Sequence, residues 1–102
     1  MGFDIRLEDE RGERLDNVGD PTNILQRLLP SVNDHSFVCL TFIDPYGDTV
    51  FNQLQMETCL VELERIAAKA TTDQERDLLD GVKRLMDRCR SEQHVYLKFY
   101  GD

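Results

Sequence analysis

Two apolar stripes at helical spacing, one directly after the other, constrain this chain more than any other feature. Met56, Cys59, Leu60, Leu63, Ile66, Ala67 and Ala70 recur three or four residues apart, the period of one helix face. They predict a helix from about Gln55 to Ala70. Thr72 and Glu75 then have the spacing of a capping box, in which each side chain satisfies the other residue's backbone N–H at a helix start. Leu78, Leu79, Val82, Leu85, Met86 and Cys89 carry the stripe of the second helix. So short a link packs the two as an antiparallel hairpin. Gly81 falls mid-helix, where glycine costs about 1 kcal/mol relative to alanine. It is either tolerated on an exposed face or required by close approach of another backbone.

The rest of the chain reads as the layer that such a hairpin packs on. Phe3 to Glu8 alternates apolar and charged residues, the period of a half-buried strand with Phe3, Ile5 and Leu7 inward. The charged run Asp9 to Glu13 turns the chain, and Arg14 to Val18 returns as a weaker strand. Asp20-Pro21 suits a helix start, with Ile24, Leu25, Leu28 and Leu29 as its stripe and Pro30 as its stop. Ser31 to Ser36 is a polar loop. Phe37 to Ile43 is apolar on both faces and predicts a central strand. Asp44-Pro45-Tyr46-Gly47-Asp48 has hairpin-loop chemistry, and Thr49 to Asn52 is the returning strand. His94 to Tyr100 alternates again, with Val95, Leu97 and Phe99 inward and His94, Tyr96, Lys98 and Tyr100 outward. The expectation is one α+β domain over residues 1–102. It is a two-layer sandwich with a mainly antiparallel sheet of four to five strands, a helical hairpin and one short helix, in the order β(β)αββααβ.

Composition narrows the function classes. With 40% apolar and 31% charged residues the chain is globular in type. The N-terminal MGFDIRLEDE has acids where a secretion signal needs bases and an apolar run, and no stretch has the length of a membrane span. Cys39, Cys59 and Cys89 are odd in number, far apart and set in apolar segments. They read as buried thiols of a reducing cytoplasm, not as a disulfide or zinc framework. The net charge of −8 is uneven: residues 1–64 hold 13 acids and 4 bases, residues 65–102 hold 7 and 8. Such a surface repels phosphate, so direct nucleic-acid binding is not expected.

Individual candidates each have a plain structural explanation. Asp44, Asp48, Thr49 and Asn52 offer oxygen ligands near a glycine, but not at the spacing of a calcium loop, and turn chemistry accounts for them. Cys39 and His94 supply the types of a thiol enzyme, yet an apolar setting hides a cysteine and raises its pKa. Glu57, Glu62 and Glu64, like Asp73, Glu75 and Asp77, read as solvated helix faces. Asp80 and Arg84 are an i,i+4 pair, and Arg88 and Arg90 suit a helix C-terminus. The second face of the sheet is the most suggestive. Tyr96 and Tyr100 lie on it, joined by one face of Phe37 to Ile43, which makes an aromatic interaction surface unless the first helix covers it.

These readings point to a non-catalytic, acidic protein-binding module with no cofactor and no metal. The size and acidity suit a small bacterial protein of the inhibitor or immunity kind. The expected partner is another protein, or a second copy in a homodimer through the open sheet face, and not a membrane. Asp44, Tyr46, Asp48, Asn52, His94, Tyr96 and Tyr100 are the candidate binding residues. One alternative is a ligand-binding protein or enzyme with a pocket lined by Asp44, Asn52 and His94. Another is a nucleic-acid mimic whose carboxylates imitate phosphates and block a DNA-binding protein.

Overall fold

The computed structural model of the chain describes residues 2–101. Strands β1 (Asp4–Asp9) and β2 (Arg14–Gly19) form the first hairpin. Its turn closes through Gly12 at φ 82°, and the Asp9 carboxylate accepts the N–H groups of Arg11 and Glu13. A short helix α1 (Leu25–Leu28), strand β3 (Asp48–Phe51), helices α2 (Met56–Ala67) and α3 (Asp73–Ser91) and strand β4 (Val95–Tyr100) follow. The sheet order is β2-β1-β4-β3, antiparallel throughout. The last strand is thus central, and the β1 and β4 patterns pair in register from Asp4↔Tyr100 to Asp9↔Val95.

Alternation decides the layers. Phe3, Ile5, Leu7, Val95, Leu97 and Phe99 are buried against the helices. Phe99 packs edge-on against both Phe3 and Phe51, with ring centroids 6.3 and 5.9 Å apart. The helices bury Cys59, Leu63 and Ile66 from α2 and Leu78, Leu79, Val82, Leu85, Met86 and Cys89 from α3 on the same core. The predicted capping box opens α3: Thr72 Oγ1 accepts the Glu75 N–H and Glu75 Oε1 accepts the Thr72 N–H, both at 3.1 Å. Gly81 is explained by packing. A Cβ there would sit 3.0 Å from Cγ2 of Val18, so α3 lies tight on β2, against a side chain and not a backbone. Arg84 does not pair with Asp80; it reaches Asp16 of β2 at 3.2 Å.

Four expectations are corrected. Phe37 to Ile43 is not a strand but a loop with one 3-10 turn at Leu40–Phe42. A strand apolar on both faces needs both faces covered, and this sheet has helices on one side. The segment instead buries Phe37, Cys39, Leu40 and Ile43 and leaves Val38 and Phe42 exposed. Asp44 to Asp48 is therefore a turn entering β3, which pairs with β4, and not the tip of a hairpin. The first helix does not start at Pro21. Asn23 takes a left-handed φ of 57°, and buried Asp20 accepts the N–H groups of Ile24 and Leu25 at 2.9 and 2.7 Å, so only one turn forms before Pro30. His94 precedes β4 at φ 60° and does not join its alternation.

Candidate interaction surface

The face of the sheet away from the helices carries Tyr96 and Tyr100, as expected, but charged side chains cover it in place of an apolar strand. Asp4, Arg6 and Glu8 of β1 stand beside Tyr100, Lys98 and Tyr96 of β4, and Asp48 and Val50 of β3 complete the face. Glu8 is only 3% exposed. Its carboxylate accepts the Tyr100 hydroxyl at 2.6 Å and Lys98 Nζ at 2.9 Å, and Arg6 lies at 4.0 Å. Arg6 also pairs with Asp4 at 2.7 Å and lies over the Tyr100 ring, 4.9 Å from its centroid. Burial pushes the Glu8 pKa up, but the hydrogen bonds from Tyr100 and Lys98 and the charges of Lys98 and Arg6 outweigh it and hold the carboxyl below its ordinary value. Burial and the bond to Glu8 raise the Tyr100 hydroxyl. Long side chains lying flat across the strands thus shield this face, which removes the need for a second helical layer. Each group is already paired, so the network holds neither a free base nor a free acid near neutral pH.

A second buried carboxylate organises the loop that was expected to be a strand. Glu62 of α2 is 4% exposed and accepts the N–H groups of Val38, Cys39 and Leu40 at 2.7, 3.2 and 2.8 Å. Arg65, one turn on, lies 3.9 Å over the Phe37 ring and bonds Ser36. Beside this staple runs a shallow groove of about 440 Å³ lined by Val38, Glu57, Thr58, Val61 and Arg65. Cys39 and Cys59 are buried next to it; burial raises both thiols, as it does Cys89, pushed up to about 11. None of the three has the lowered pKa of a nucleophile.

The predicted site residues fall in separate places. Asp44 orders its turn, accepting the Tyr46 N–H while its own N–H goes to Thr49 Oγ1. The backbone around it abuts Gly101, at the far end of β4 from His94. A six-residue strand spans roughly 20 Å, so Asp44 and His94 do not share a pocket. His94 Nδ1 lies 3.4 Å from Glu10. Asn52 caps the 3-10 turn Gln53–Gln55. Tyr96 is half-buried opposite Glu8, and Asp48 stands opposite Tyr100. Tyr46 is 79% exposed. Among the described residues no group of His, Cys, Asp and Glu has the geometry of a metal site, and no helix is long and apolar enough to cross a membrane.

Sequence reasoning missed Glu8, Lys98, Arg6 and Glu62. For Glu62 a signal existed: it lies three residues after Cys59 and four before Ile66, on the apolar stripe and not on the solvated face. Exposure and charge together mark one segment. From Leu28 to Glu64 the chain has no lysine or arginine and six carboxylates, Asp34, Asp44, Asp48, Glu57, Glu62 and Glu64. Among the described residues, seven of the eight large exposed hydrophobic residues also lie there: Val32, Val38, Phe42, Tyr46, Val50, Leu54 and Val61. Elsewhere six of the 13 described carboxylates, Asp4, Glu8, Asp16, Asp73, Asp87 and Glu92, pair with lysine or arginine. No protein-family model, curated protein or solved structure matches the chain.

Proposed function

We propose that this chain is a non-catalytic protein-binding module whose contact surface is the segment from Leu28 to Glu64. The observation that carries this reading is the coincidence, in one stretch without lysine or arginine, of five carboxylates outside any ion pair, Asp34, Asp44, Asp48, Glu57 and Glu64, with seven of the eight large exposed apolar side chains among the described residues. Scattered single apolar residues need no explanation, whereas their concentration is characteristic of binding surfaces. The charge selects a cationic partner. A second copy presents carboxylates to carboxylates, and the apolar strand that favoured a homodimer through the open sheet face is not there. A nucleic-acid mimic requires a bare acidic row, and ion pairs neutralise much of the acid outside this segment.

The test compares immobilised parent protein with the Phe42→Ser/Val61→Ser double variant against native lysate at several salt concentrations. The parent is expected to retain a stoichiometric basic protein, released by salt and not retained by the variant. A partner held equally by both proteins refutes the assignment of the surface, and recovery of none refutes the binding function.

A further inference from the structure

The two edges of the sheet are not equivalent, and the difference indicates how a partner is held. This inference rests on the binding reading above and adds its mode and the conformation of the partner. In an antiparallel ladder, residues alternate between pairs that exchange both backbone hydrogen bonds and pairs whose N–H and C=O point outward. The Gly101 N–H donates to the Gly47 carbonyl at 2.7 Å. That bond makes Asp48↔Tyr100 a non-bonded pair, Thr49↔Phe99 a bonded pair and Val50↔Lys98 non-bonded again. The N–H and C=O of Asp48 and Val50 therefore face away from β4, along the free edge of β3. Among the described residues no side chain or backbone group satisfies them.

The opposite edge is partly closed: exposed Gly19 also turns its backbone groups outward, but the next outward amide is occupied. The Asp20 N–H donates to the Phe3 carbonyl, and the same alternation turns the Asn17 N–H outward from β2. That N–H is already accepted by Oδ1 of Asp16 at 2.8 Å, and Asp16 is tied to Arg84 of α3. Charged side chains and occupied amides are the usual protection of an edge strand against pairing. β3 is protected only by its shortness, four residues, and by one charge. It carries exposed Val50, with Tyr46 before it and Leu54 after it, and its one charge is Asp48.

We propose that the free edge of β3 accepts an extended, lysine- or arginine-bearing segment of another protein as a fifth strand. Backbone bonds to Asp48 and Val50 supply the register. The cations of the incoming strand lie on the open face beside Asp48, and its apolar side chains, on the other face, continue the core beside Thr49 and buried Phe51. A second copy of this chain offers the same geometry but opposes acid to acid, so the occupant is a foreign basic strand.

The experiment titrates two eight-residue peptides, blocked at both ends and alternating valine with either lysine or glutamate, into the full chain. It follows amide exchange and chemical shifts. The lysine peptide is expected to bind and to protect the Asp48 and Val50 amides. Val50→Pro deletes one outward N–H at a position where an edge strand tolerates proline, and should weaken binding roughly three- to tenfold. Asp48→Lys leaves the backbone alone and should weaken it by roughly two- to fivefold. Unchanged circular dichroism verifies that both variants fold. Lysine-peptide binding that spares the β3 amides and is unaltered by Val50→Pro overturns the edge site, while the surface from Leu28 to Glu64 still stands on the lysate comparison. Equal binding of both peptides overturns the charge argument common to both readings. Protection of the β3 amides that rises with protein concentration alone names a second copy as occupant and overturns the foreign strand, as does failure of the lysine peptide to bind.

Discussion

Replacing Glu62 should loosen a loop far from it in sequence. Its carboxylate, 4% exposed, accepts three backbone N–H groups within 3.2 Å, from Val38, Cys39 and Leu40. Hydrogen bonds to a charged acceptor are worth about 1.5–3 kcal/mol each. Glu62→Ala strands all three donors, but the neighbourhood of exposed Val38 lets water reach some of them, so the expected loss is about 3–5 kcal/mol. That is a large part of the roughly 5–15 kcal/mol that stabilises a domain. With a urea dependence of about 1.5 kcal/mol per molar, the unfolding midpoint should fall by about 2–3 M. Glu62→Gln keeps one acceptor oxygen and loses the charge, so it should cost about 1–2 kcal/mol. Urea unfolding gives the stability, and amide exchange of Val38, Cys39 and Leu40 locates the effect. A midpoint shift under about 0.5 M with exchange unchanged would mean that burial of Phe37, Leu40 and Ile43 holds the loop, and would refute the staple.

Gly81→Ala should not bring the usual helix gain of about 1 kcal/mol, because the new methyl meets Val18 at 3.0 Å. In a Val18→Ala background the same change should stabilise by about 0.5–1 kcal/mol, and strict additivity in thermal unfolding of the four proteins would contradict the contact. The open-face network sets a pH window. The lowered Glu8 carboxyl contributes stability that is complete above the ordinary carboxylate pKa of about 4.3 and is lost as pH falls through the folded value. The raised Tyr100 hydroxyl contributes stability that is complete below about pH 10 and is lost as pH rises through its folded value. Tyr100→Phe should therefore cost about 1–3 kcal/mol at neutral pH and flatten the alkaline limb; a profile superimposable on the parent's would exclude the Tyr100–Glu8 bond as its source.

The sequence alone determined those elements whose cause is local. Side-chain alternation fixes β1 and β4, stripes at helical period fix α2 and α3, and Thr72 with Glu75 opens α3, because period and cap are properties of neighbouring residues. The α+β two-layer class follows from them. Of the candidate binding residues, Asp44, Tyr46, Asp48 and Asn52 lie in the segment proposed for binding, with six of the 13 acids of the first 64 residues. Tertiary structure decided the rest. Phe37 to Ile43 announces burial by its composition, but composition does not say against what, and an amide bonds a carboxylate 24 residues away as readily as a strand. The polar cover of the open face was hidden for the same reason: Glu8 and Tyr100 are 92 residues apart and meet only because β1 and β4 pair. The open edge of β3 likewise exists only once β4 has taken the place beside it, leaving Asp48 and Val50 with backbone groups that no local pattern reveals.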